Sequence, residues 1–192
     1  MKKFSEEISR VEAYIEEACR NKDRVLIAID GKSGSGKSTL AQRLAEQYRA
    51  NLYHMDDFFL QPEQRTVERL SEIGGNVDYE RFQTEVLVPL LEGRGFSYGL
   101  FDCKQQRITE YRQVEPAQIH IIEGSYSQHP YFGRPYDVTI CLDIGAGQQI
   151  ERIRKRNGEG MLKRFVEEWI PKENAYLEKF RIMEQADVCV RM

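Results

Sequence analysis

The amino-acid sequence predicts an α/β fold: a mostly parallel sheet with helices on both faces, arranged in three layers, and a helical lid. Two observations predict it. Short and nearly continuous apolar runs, typical of buried parallel strands, occupy residues 25–30, 119–122 and 138–142. Segments with apolar residues at helical spacing separate these runs, and strands that alternate with helices form parallel sheets with right-handed crossovers.

The other elements follow in order along the chain. An amphipathic helix is expected within residues 1–22. Later elements are a helix at 37–48, a strand at 52–54, an irregular segment at 57–78, a helix at 79–91, a hairpin at 96–111 and a strand at 188–190. A basic helix at 148–156 and a long helix at 162–184, with a break expected near Pro171, would form the lid and the helix after it, over about 148–184.

Composition limits the classes of function. The chain has 192 residues, which suits a single domain over 1–192. Its net charge of -3 argues against nucleic acid as a partner, so any affinity for phosphate must come from a local cluster of donors. No apolar run approaches a membrane span, and the four cysteines lack zinc spacing. We therefore expect reduced thiols in a cytoplasmic protein without a membrane partner; the oligomeric state is left open.

Functional side chains are expected at one edge of the sheet. Gly31, Asp56, Glu123 and Asp143 each stand at or just after the end of a predicted strand. In open parallel sheets, ligands bind beyond the carboxyl ends of the strands. The four strand ends therefore predict a phosphate or metal site at this edge.

Residues 31–38 match the pattern G-x-x-x-x-G-K-[ST], with a buried strand before them and an amphipathic helix after them. Glycines let successive N–H groups face one anion, and the helix N-terminus adds partial positive charge. We expect Lys37 to reach the β- and γ-phosphates and Ser38 to ligate magnesium. A Gly/Ser-rich surface turn is the alternative. The predicted nucleotide-binding residues are Gly31, Lys32, Ser33, Gly34, Ser35, Gly36, Lys37, Ser38 and Thr39.

Signatures of two other classes of P-loop protein are missing. The N-K-x-D motif with which GTPases read guanine does not follow the loop. AAA-type motors end a strand in two acids, whereas here Glu123 is followed by Gly124. These absences favour a small-molecule kinase.

Asp56 is the predicted catalytic base. It lies shortly after the second strand, where a carboxylate can face the γ-phosphate and accept a proton from an attacking hydroxyl. The alternative is a turn aspartate that caps a helix, and Asp57 is the competing candidate for the base.

Seven motifs follow one another between Val25 and about Val190. They are GKSGSGKST, HMDDFF, GNVDYERF, FSYGLFDC, HIIEGSY, ERIRKRNG and QADVCV. In this order they resemble the uridine kinase and phosphoribulokinase-like family, which also includes the nicotinamide riboside kinases. The resemblance implies the P-loop NTPase fold, ATP as the phosphoryl donor and Mg²⁺ as the metal.

The resemblance also implies roles for single residues. Asp56 matches the catalytic base, and Glu123 matches an acid near magnesium. Asp78 matches an aspartate that binds sugar hydroxyls, and Tyr98 matches an aromatic residue near the base of the acceptor. Phe59 belongs to a stretch that is similar to the nicotinamide riboside kinases, and we expect it to contact the acceptor.

The predicted lid supplies arginines. Arg152 and Arg156 match lid arginines that contact phosphates, and Arg156 joins Asp56 and Lys37 in the predicted catalytic set. Structural alternatives stay open: this basic run could be a solvated helix face, and Glu123 a surface acid.

The acceptor residues have structural alternatives too. Asp78 could cap the helix that begins at Tyr79, and Tyr98 could pack within the hairpin. Cys103 stands where uridine kinases carry a histidine that reads the pyrimidine, and a thiol is a weak hydrogen-bond partner.

The sequence thus predicts a kinase that transfers the γ-phosphoryl group of ATP to a hydroxyl of a small molecule, with a uridine- or cytidine-like nucleoside first. Nicotinamide riboside or another small alcohol is the alternative acceptor. An NTP-binding regulator with little transfer chemistry is the alternative class.

Overall fold

The computed structural model describes residues 2–192, with side chains from Glu6 onward. Its strands are β1 (Val25–Gly31), β2 (Asn51–His54), β3 (Phe96–Asp102), β4 (Arg107–Val114), β5 (Ile119–Glu123), β6 (Val138–Asp143) and β7 (Val188–Arg191). Five of them form a parallel sheet in the order β2-β5-β1-β6-β7. The other two, β3 and β4, pair antiparallel as a separate hairpin.

The helices alternate with the strands of the sheet. They are α1 (Lys2–Asn21), α2 (Lys37–Tyr48), α3 (Val67–Ser71), α4 (Tyr79–Phe82), α5 (Val88–Glu92), α6 (Ala146–Arg164), α7 (Ile170–Lys179) and α8 (Ile182–Gln185). One π-helical turn, Gln83–Leu87, joins α4 to α5, and another, Phe165–Trp169, joins α6 to α7.

Strand β1 lies at the centre of the sheet and is buried along its whole length. Ile27 lies opposite Ile121 of β5 on one side and Val138 of β6 on the other. Because side chains on both faces of β1 are covered, its sequence is apolar without alternation.

Two cores lie on opposite faces of the sheet. On one face, Ile15 of α1 and Leu44 of α2 pack against Ile27. On the other face, Leu26 packs in a cluster with Tyr176 and with residues of the segment between β2 and β5. The predicted three-layer α/β sandwich is therefore confirmed.

The predicted hairpin is confirmed and extends to Val114, three residues beyond its expected end. The segment at 57–78 was expected to be irregular, but it contains short helices, including a 3₁₀ turn at Pro62–Gln64 and α3. Local chemistry explains them, because Pro62 starts the 3₁₀ turn and the Thr66 side chain accepts a hydrogen bond from the Arg69 N–H.

The break expected near Pro171 is a change of hydrogen bonding within a continuous helical segment, from the π-helical turn Phe165–Trp169 to α7. Pro171 lies in the first turn of α7, directly after the π-helical turn, where a proline's missing N–H costs little. The interruptions fall elsewhere. Gly158 leaves helical geometry within α6, with φ 76° and ψ 170°. Arg181 adopts a left-handed conformation, with φ 51°, between α7 and α8.

His120 of β5 is buried and structural. Its Nδ1 lies 2.9 Å from the Tyr53 hydroxyl and its Nε2 lies 2.9 Å from the Ala117 carbonyl oxygen. Burial lowers the pKa of His120 to about 4. The folded-state pKa is thus below the unfolded value of about 6.5. Stability from neutral His120 is present above the unfolded pKa and is lost as the pH falls toward the folded pKa.

Because of His120, we expect the free energy of unfolding to fall by up to about 3 kcal/mol as the pH decreases from about 6.5 to about 4. Denaturant unfolding across that window, in the wild type and in His120→Asn, measures the effect. The variant should depend less on pH in this window, and an equal dependence in both proteins would contradict the assignment.

Within residues 2–192, no helix combines the length and the apolar character that crossing a bilayer requires.

Candidate active site

The predicted strand ends meet at one edge of the sheet. Because β2, β5, β1 and β6 are neighbours in this order, their carboxyl ends lie side by side. The residues at or just after these four ends are, in the same order, Asp56, Glu123, Gly31 and Asp143. At the end of β6, Lys32 Nζ forms an ion pair of 2.8 Å with Asp143 Oδ1.

The loop between β1 and α2 is built to bind an anion. Gly31, Gly34 and Gly36 have positive φ values of 130°, 75° and 96°. Within the described residues, the N–H groups of Gly34, Gly36, Lys37 and Ser38 donate to no protein group. These donors sit at the N-terminus of α2, whose partial positive charge adds to them.

The Lys37 side chain is folded onto this loop. Its Nζ donates to the carbonyl oxygens of Gly31 at 2.8 Å and Lys32 at 3.1 Å, and it lies 3.4 Å from the Ser125 hydroxyl. The residue is 8% exposed. The ammonium group is thus held beside the free N–H groups, where an anion would meet both.

Ser38 and Glu123 lie together, as the predicted metal pair requires. The Ser38 hydroxyl donates to Glu123 Oε2 at 3.2 Å, and His54 Nδ1 lies 2.5 Å from Glu123 Oε1. The hydrogen bond to Glu123 raises the pKa of His54. A hydroxyl and a carboxylate are oxygen donors that suit Mg²⁺, which takes its other ligands from phosphates and water. The residues present therefore fit this ion.

Asp56 is exposed to solvent, although protein surrounds its carboxylate on several sides. This partial removal of water is the main cause that raises the pKa of Asp56, and the Glu123 charge adds to it. Lys37, His54 and Arg156 act in the opposite direction. Asp56 is thus within electrostatic range of the loop lysine and of a lid arginine. The space between Asp56 and the β3–β4 hairpin, whose Cys103 the Asp56 charge reaches, is called the cleft.

Asp57 is placed differently from its neighbour. Its Oδ2 atom is buried and has no hydrogen-bond partner among the described residues. Its carbonyl oxygen accepts a short hydrogen bond from Arg81. Asp57 therefore belongs to the wall of the cleft, whereas Asp56 is open to it.

Asp78 caps a helix, which is the structural alternative that its sequence left open. Its Oδ1 accepts a hydrogen bond of 3.0 Å from the Arg81 N–H, in the first turn of α4. Its Oδ2 accepts one of 2.8 Å from the Gln64 amide. With 3% exposure, Asp78 is buried. A contact with an acceptor hydroxyl stays a prediction.

Tyr98 is buried in the core beneath the cleft. Its ring is 0% exposed and stacks on Phe58 with centroids 5.5 Å apart. Arg112 Nη1 donates to its hydroxyl at 3.1 Å. Packing within the hairpin region thus accounts for Tyr98, and a contact with the acceptor stays a prediction.

Phe59 is half-buried, and its ring lies edge-on to Phe101 with centroids 6.3 Å apart. Cys103 is exposed in the turn between β3 and β4. Although Cys103 is exposed, the protein around it removes part of the water from its thiol. This loss of water is the main cause that raises the pKa of the thiol, and the charge of Asp56 adds to it. The turn thus lies within electrostatic range of Asp56, the predicted base.

The lid helix α6 passes over the loop. A side chain at Gly34 would lie 3.5 Å from the Gln149 carbonyl oxygen and 3.5 Å from Ile153. Arg152 Nη1 donates to the Gly34 carbonyl oxygen at 3.2 Å. Arg152 is therefore at the predicted nucleotide site, and the charge of Arg156 reaches Asp56.

The site also involves residues that the sequence analysis did not single out. Glu173 of α7 accepts hydrogen bonds from Ser33 of the loop and from Ser125, which follows β5. Tyr176, one turn later in α7, donates at 2.6 Å to the buried Asp30. The one sequence signal for Glu173 is a carboxylate within the otherwise apolar stripe of Phe165, Trp169, Ile170, Tyr176 and Leu177.

Comparisons with known proteins agree with this geometry. The shikimate kinase family model matches residues 33–96. A uridine kinase from Brevibacillus brevis is 31% identical over 143 residues, 67% of this chain and 64% of that protein. A uridine kinase from Ligilactobacillus salivarius is 30% identical over 150 residues, 74% of this chain and 70% of that protein.

Solved structures share the fold. One is a "possible uridine kinase" from Bacillus stearothermophilus, with a TM-score of 0.69, 20% identity and coverage of 93% of this chain and 98% of that one. Another is a D-glycerate 3-kinase from Cryptococcus neoformans, with a TM-score of 0.63, 14% identity and coverage of 91% and 88%.

Proposed function

Because the chain belongs to the uridine kinase family of P-loop kinases, and is thus an ATP-dependent small-molecule kinase, we propose that it phosphorylates a hydroxyl of a nucleoside. Uridine and cytidine come first among the acceptors because its relatives are named uridine kinases. The observation that carries the proposal is the grouping of Lys37, the Ser38–Glu123 pair and Asp56 at adjacent strand ends.

The loop residues 31–39 bind the triphosphate. The free N–H groups of Gly34, Gly36, Lys37 and Ser38 donate to phosphate oxygens, and the Lys37 ammonium moves from the loop carbonyls to the β- and γ-phosphates. The Ser38 hydroxyl and, directly or through water, the Glu123 carboxylate would hold Mg²⁺, and the bound ion would supply positive charge beside the transferring phosphoryl group.

Asp56 accepts the proton of the acceptor hydroxyl as that oxygen bonds to the γ-phosphorus atom, while the bond from this phosphorus to the bridging oxygen of the β-phosphate breaks and ADP leaves. Its exposure to the cleft leaves the carboxylate accessible to the acceptor, and its raised pKa makes it a stronger base than an ordinary aspartate. Arg152 and Arg156 of the lid bind phosphate oxygens and help to exclude water, which limits hydrolysis of ATP.

The acceptor occupies the cleft between Asp56 and the hairpin. Asp78 can orient a ribose hydroxyl if that hydroxyl replaces the Gln64 amide at Oδ2, while Oδ1 continues to cap α4. Phe59 offers a half-buried ring to the acceptor, and Tyr98 supports the floor of the cleft from below.

The substrate assignment is tested by measuring ADP release from Mg·ATP with uridine, cytidine, nicotinamide riboside, pantothenate and a sugar phosphate in turn. Uridine or cytidine should raise ADP release far above hydrolysis without an acceptor. A response to one of the other acceptors alone would refute the nucleoside assignment. A response to none would favour a nucleotide-binding regulator.

The raised pKa of Asp56 predicts the pH dependence of catalysis. A general base acts when it is deprotonated, so kcat/KM should fall as the pH decreases through the pKa of Asp56. Because that pKa is raised above the aspartate value of 3.8, the acid limb should lie above 3.8. Initial rates from about pH 4 to pH 8 measure it, and a profile that stays flat over this whole range would contradict the role of Asp56.

A further inference from the structure

Glu173 is a buried carboxylate at the edge of the phosphate loop. It lies on α7, the helix that follows the lid, and it is 5% exposed. Its Oε2 accepts a hydrogen bond of 3.0 Å from the Ser33 N–H, and its Oε1 accepts a short one from the Ser33 hydroxyl. Oε1 also accepts a hydrogen bond of 2.8 Å from the Ser125 hydroxyl.

Hydrogen bonds hold this carboxylate, rather than a direct ion pair. Among the described residues, no Lys, Arg or His forms an ion pair with Glu173. A buried charge is costly unless hydrogen bonds satisfy it, and here all three donors come from the loop and from the residue beside Lys37. The hydrogen bonds that hold Glu173 thus tie α7 to the phosphate loop and to the residue that Lys37 contacts.

The hydrogen bonds also have a fixed direction. An ionised carboxylate only accepts, so the single proton of the Ser125 hydroxyl must point at Glu173. The lone pairs of that hydroxyl then face Lys37, whose Nζ lies 3.4 Å away. Glu173 thereby sets the orientation of the side-chain group that, among the described residues, accepts a hydrogen bond from Lys37.

We propose that Glu173 is a positioning residue for phosphoryl transfer: it orients Ser125 toward the Lys37 ammonium and anchors Ser33 of the phosphate loop to α7. The proposal rests on the kinase function proposed above. It adds that the helix after the lid takes part in aligning the lysine that binds the transferring phosphoryl group.

A double-mutant cycle in kcat tests this inference, with Glu173→Gln, Ser125→Ala and both together, at saturating ATP and acceptor. A glutamine amide cannot accept from all three donors. With its NH₂ at the Oε2 position it would face the Ser33 N–H, and with its NH₂ at the Oε1 position it would face the two hydroxyls, so either the anchor of the loop or the orientation of Ser125 would be lost. We expect about 10- to 100-fold lower kcat for each single variant, because small misplacements of catalytic groups have large effects. The double variant should lose no more than the worse single variant.

Glu178→Gln is the matched control. Glu178 is an exposed glutamate of the same helix whose side chain makes no hydrogen bond or ion pair among the described residues. This variant should keep the wild-type kcat. Multiplicative losses in the double variant, or a kcat for Glu173→Gln within about twofold of wild type, would overturn the proposal.

A second measurement separates this proposal from the proposed function. If the wild type phosphorylates no acceptor, the kinase assignment fails, and the Nζ resonance of Lys37 is then followed by NMR in the Mg·ADP complex. Glu173→Gln and Ser125→Ala should shift that resonance in the same direction, without a further shift in the double variant. A resonance that responds to Ser125→Ala alone would overturn the positioning role.

Discussion

Replacing Asp56 with asparagine is expected to lower kcat by about 100- to 10,000-fold, the usual contribution of a general base. Asparagine keeps the shape of the side chain but cannot accept the proton of the attacking hydroxyl. Because the phosphate loop is unchanged, the affinity for Mg·ATP should stay close to that of the wild type. Steady-state kinetics of acceptor phosphorylation and equilibrium titration with a fluorescent ATP analogue measure the two effects.

Asp57→Asn is the matched control for this variant. Asp57 is the adjacent carboxylate, but its Oδ2 atom is buried in the wall of the cleft. Its hydrogen bond with Arg81 uses the main-chain oxygen, which the substitution leaves in place. This variant should retain much more activity than Asp56→Asn. The reverse order of the two losses would transfer the role of base to Asp57.

Gly31→Ala is expected to destabilise the fold by about 3 kcal/mol or more, equivalent to a fall in Tm of about 10 °C for a chain of this size. An added Cβ would lie 2.0 Å from the Leu142 carbonyl oxygen and 2.7 Å from the Leu142 nitrogen. These atoms belong to β6, which pairs with β1 at this point, so neither strand can move without breaking the sheet. The φ of +130° adds strain for any residue with a side chain.

Gly160→Ala provides the contrast. An added Cβ at Gly160 meets nothing within 4 Å, and the position lies in α6. Alanine is favoured over glycine in a helix by about 0.8–1 kcal/mol, so this variant should be as stable as the wild type or more stable. Thermal unfolding of both variants gives the comparison. Equal stability of Gly31→Ala and wild type would show that β1 and β6 do not approach as closely as described.

The phosphate loop was predictable because its information is local. The glycines, Lys37 and Ser38 lie within eight consecutive residues, between a strand and a helix that the apolar pattern identifies. The proximity of Glu123 to Ser38 was also predictable, since a strand order that places β5 beside β1 brings the two together. The rule that functional residues gather at the carboxyl ends of parallel strands was enough to predict that Glu123 lies near the loop.

Other features depended on packing that no local pattern encodes. Glu173 meets Ser33 across 140 residues of sequence, and only the docking of α7 on the loop brings them together. Tyr98 could be placed in the hairpin, but its burial arises from rings contributed by separate segments, including Tyr53 and Phe58. The continuous helix at Pro171 depends on a π-helical turn, for which residues 165–169 give no distinctive signal.

Asp78 shows how one position can fit two predictions, of which the structure shows the helix cap. Its sequence position fitted both a helix cap and an acceptor contact, and the structure assigns one oxygen to the cap and the other to Gln64. Capping needs only one carboxylate oxygen, and the second also lies 3.8 Å from Arg81 Nε, so its exchange with a ligand hydroxyl stays a prediction. Sequence alone does not distinguish exclusive from shared use of a carboxylate.

The central claim is that this cleft transfers the γ-phosphoryl group of ATP to a nucleoside hydroxyl. The most direct measurement incubates the wild type with Mg·ATP, radiolabelled in the γ-phosphate, and with uridine or cytidine, and then separates the products. We predict that the label appears in a nucleoside monophosphate in the same amount as ADP forms. Label released only as inorganic phosphate, at a rate that the nucleoside does not change, would contradict the claim.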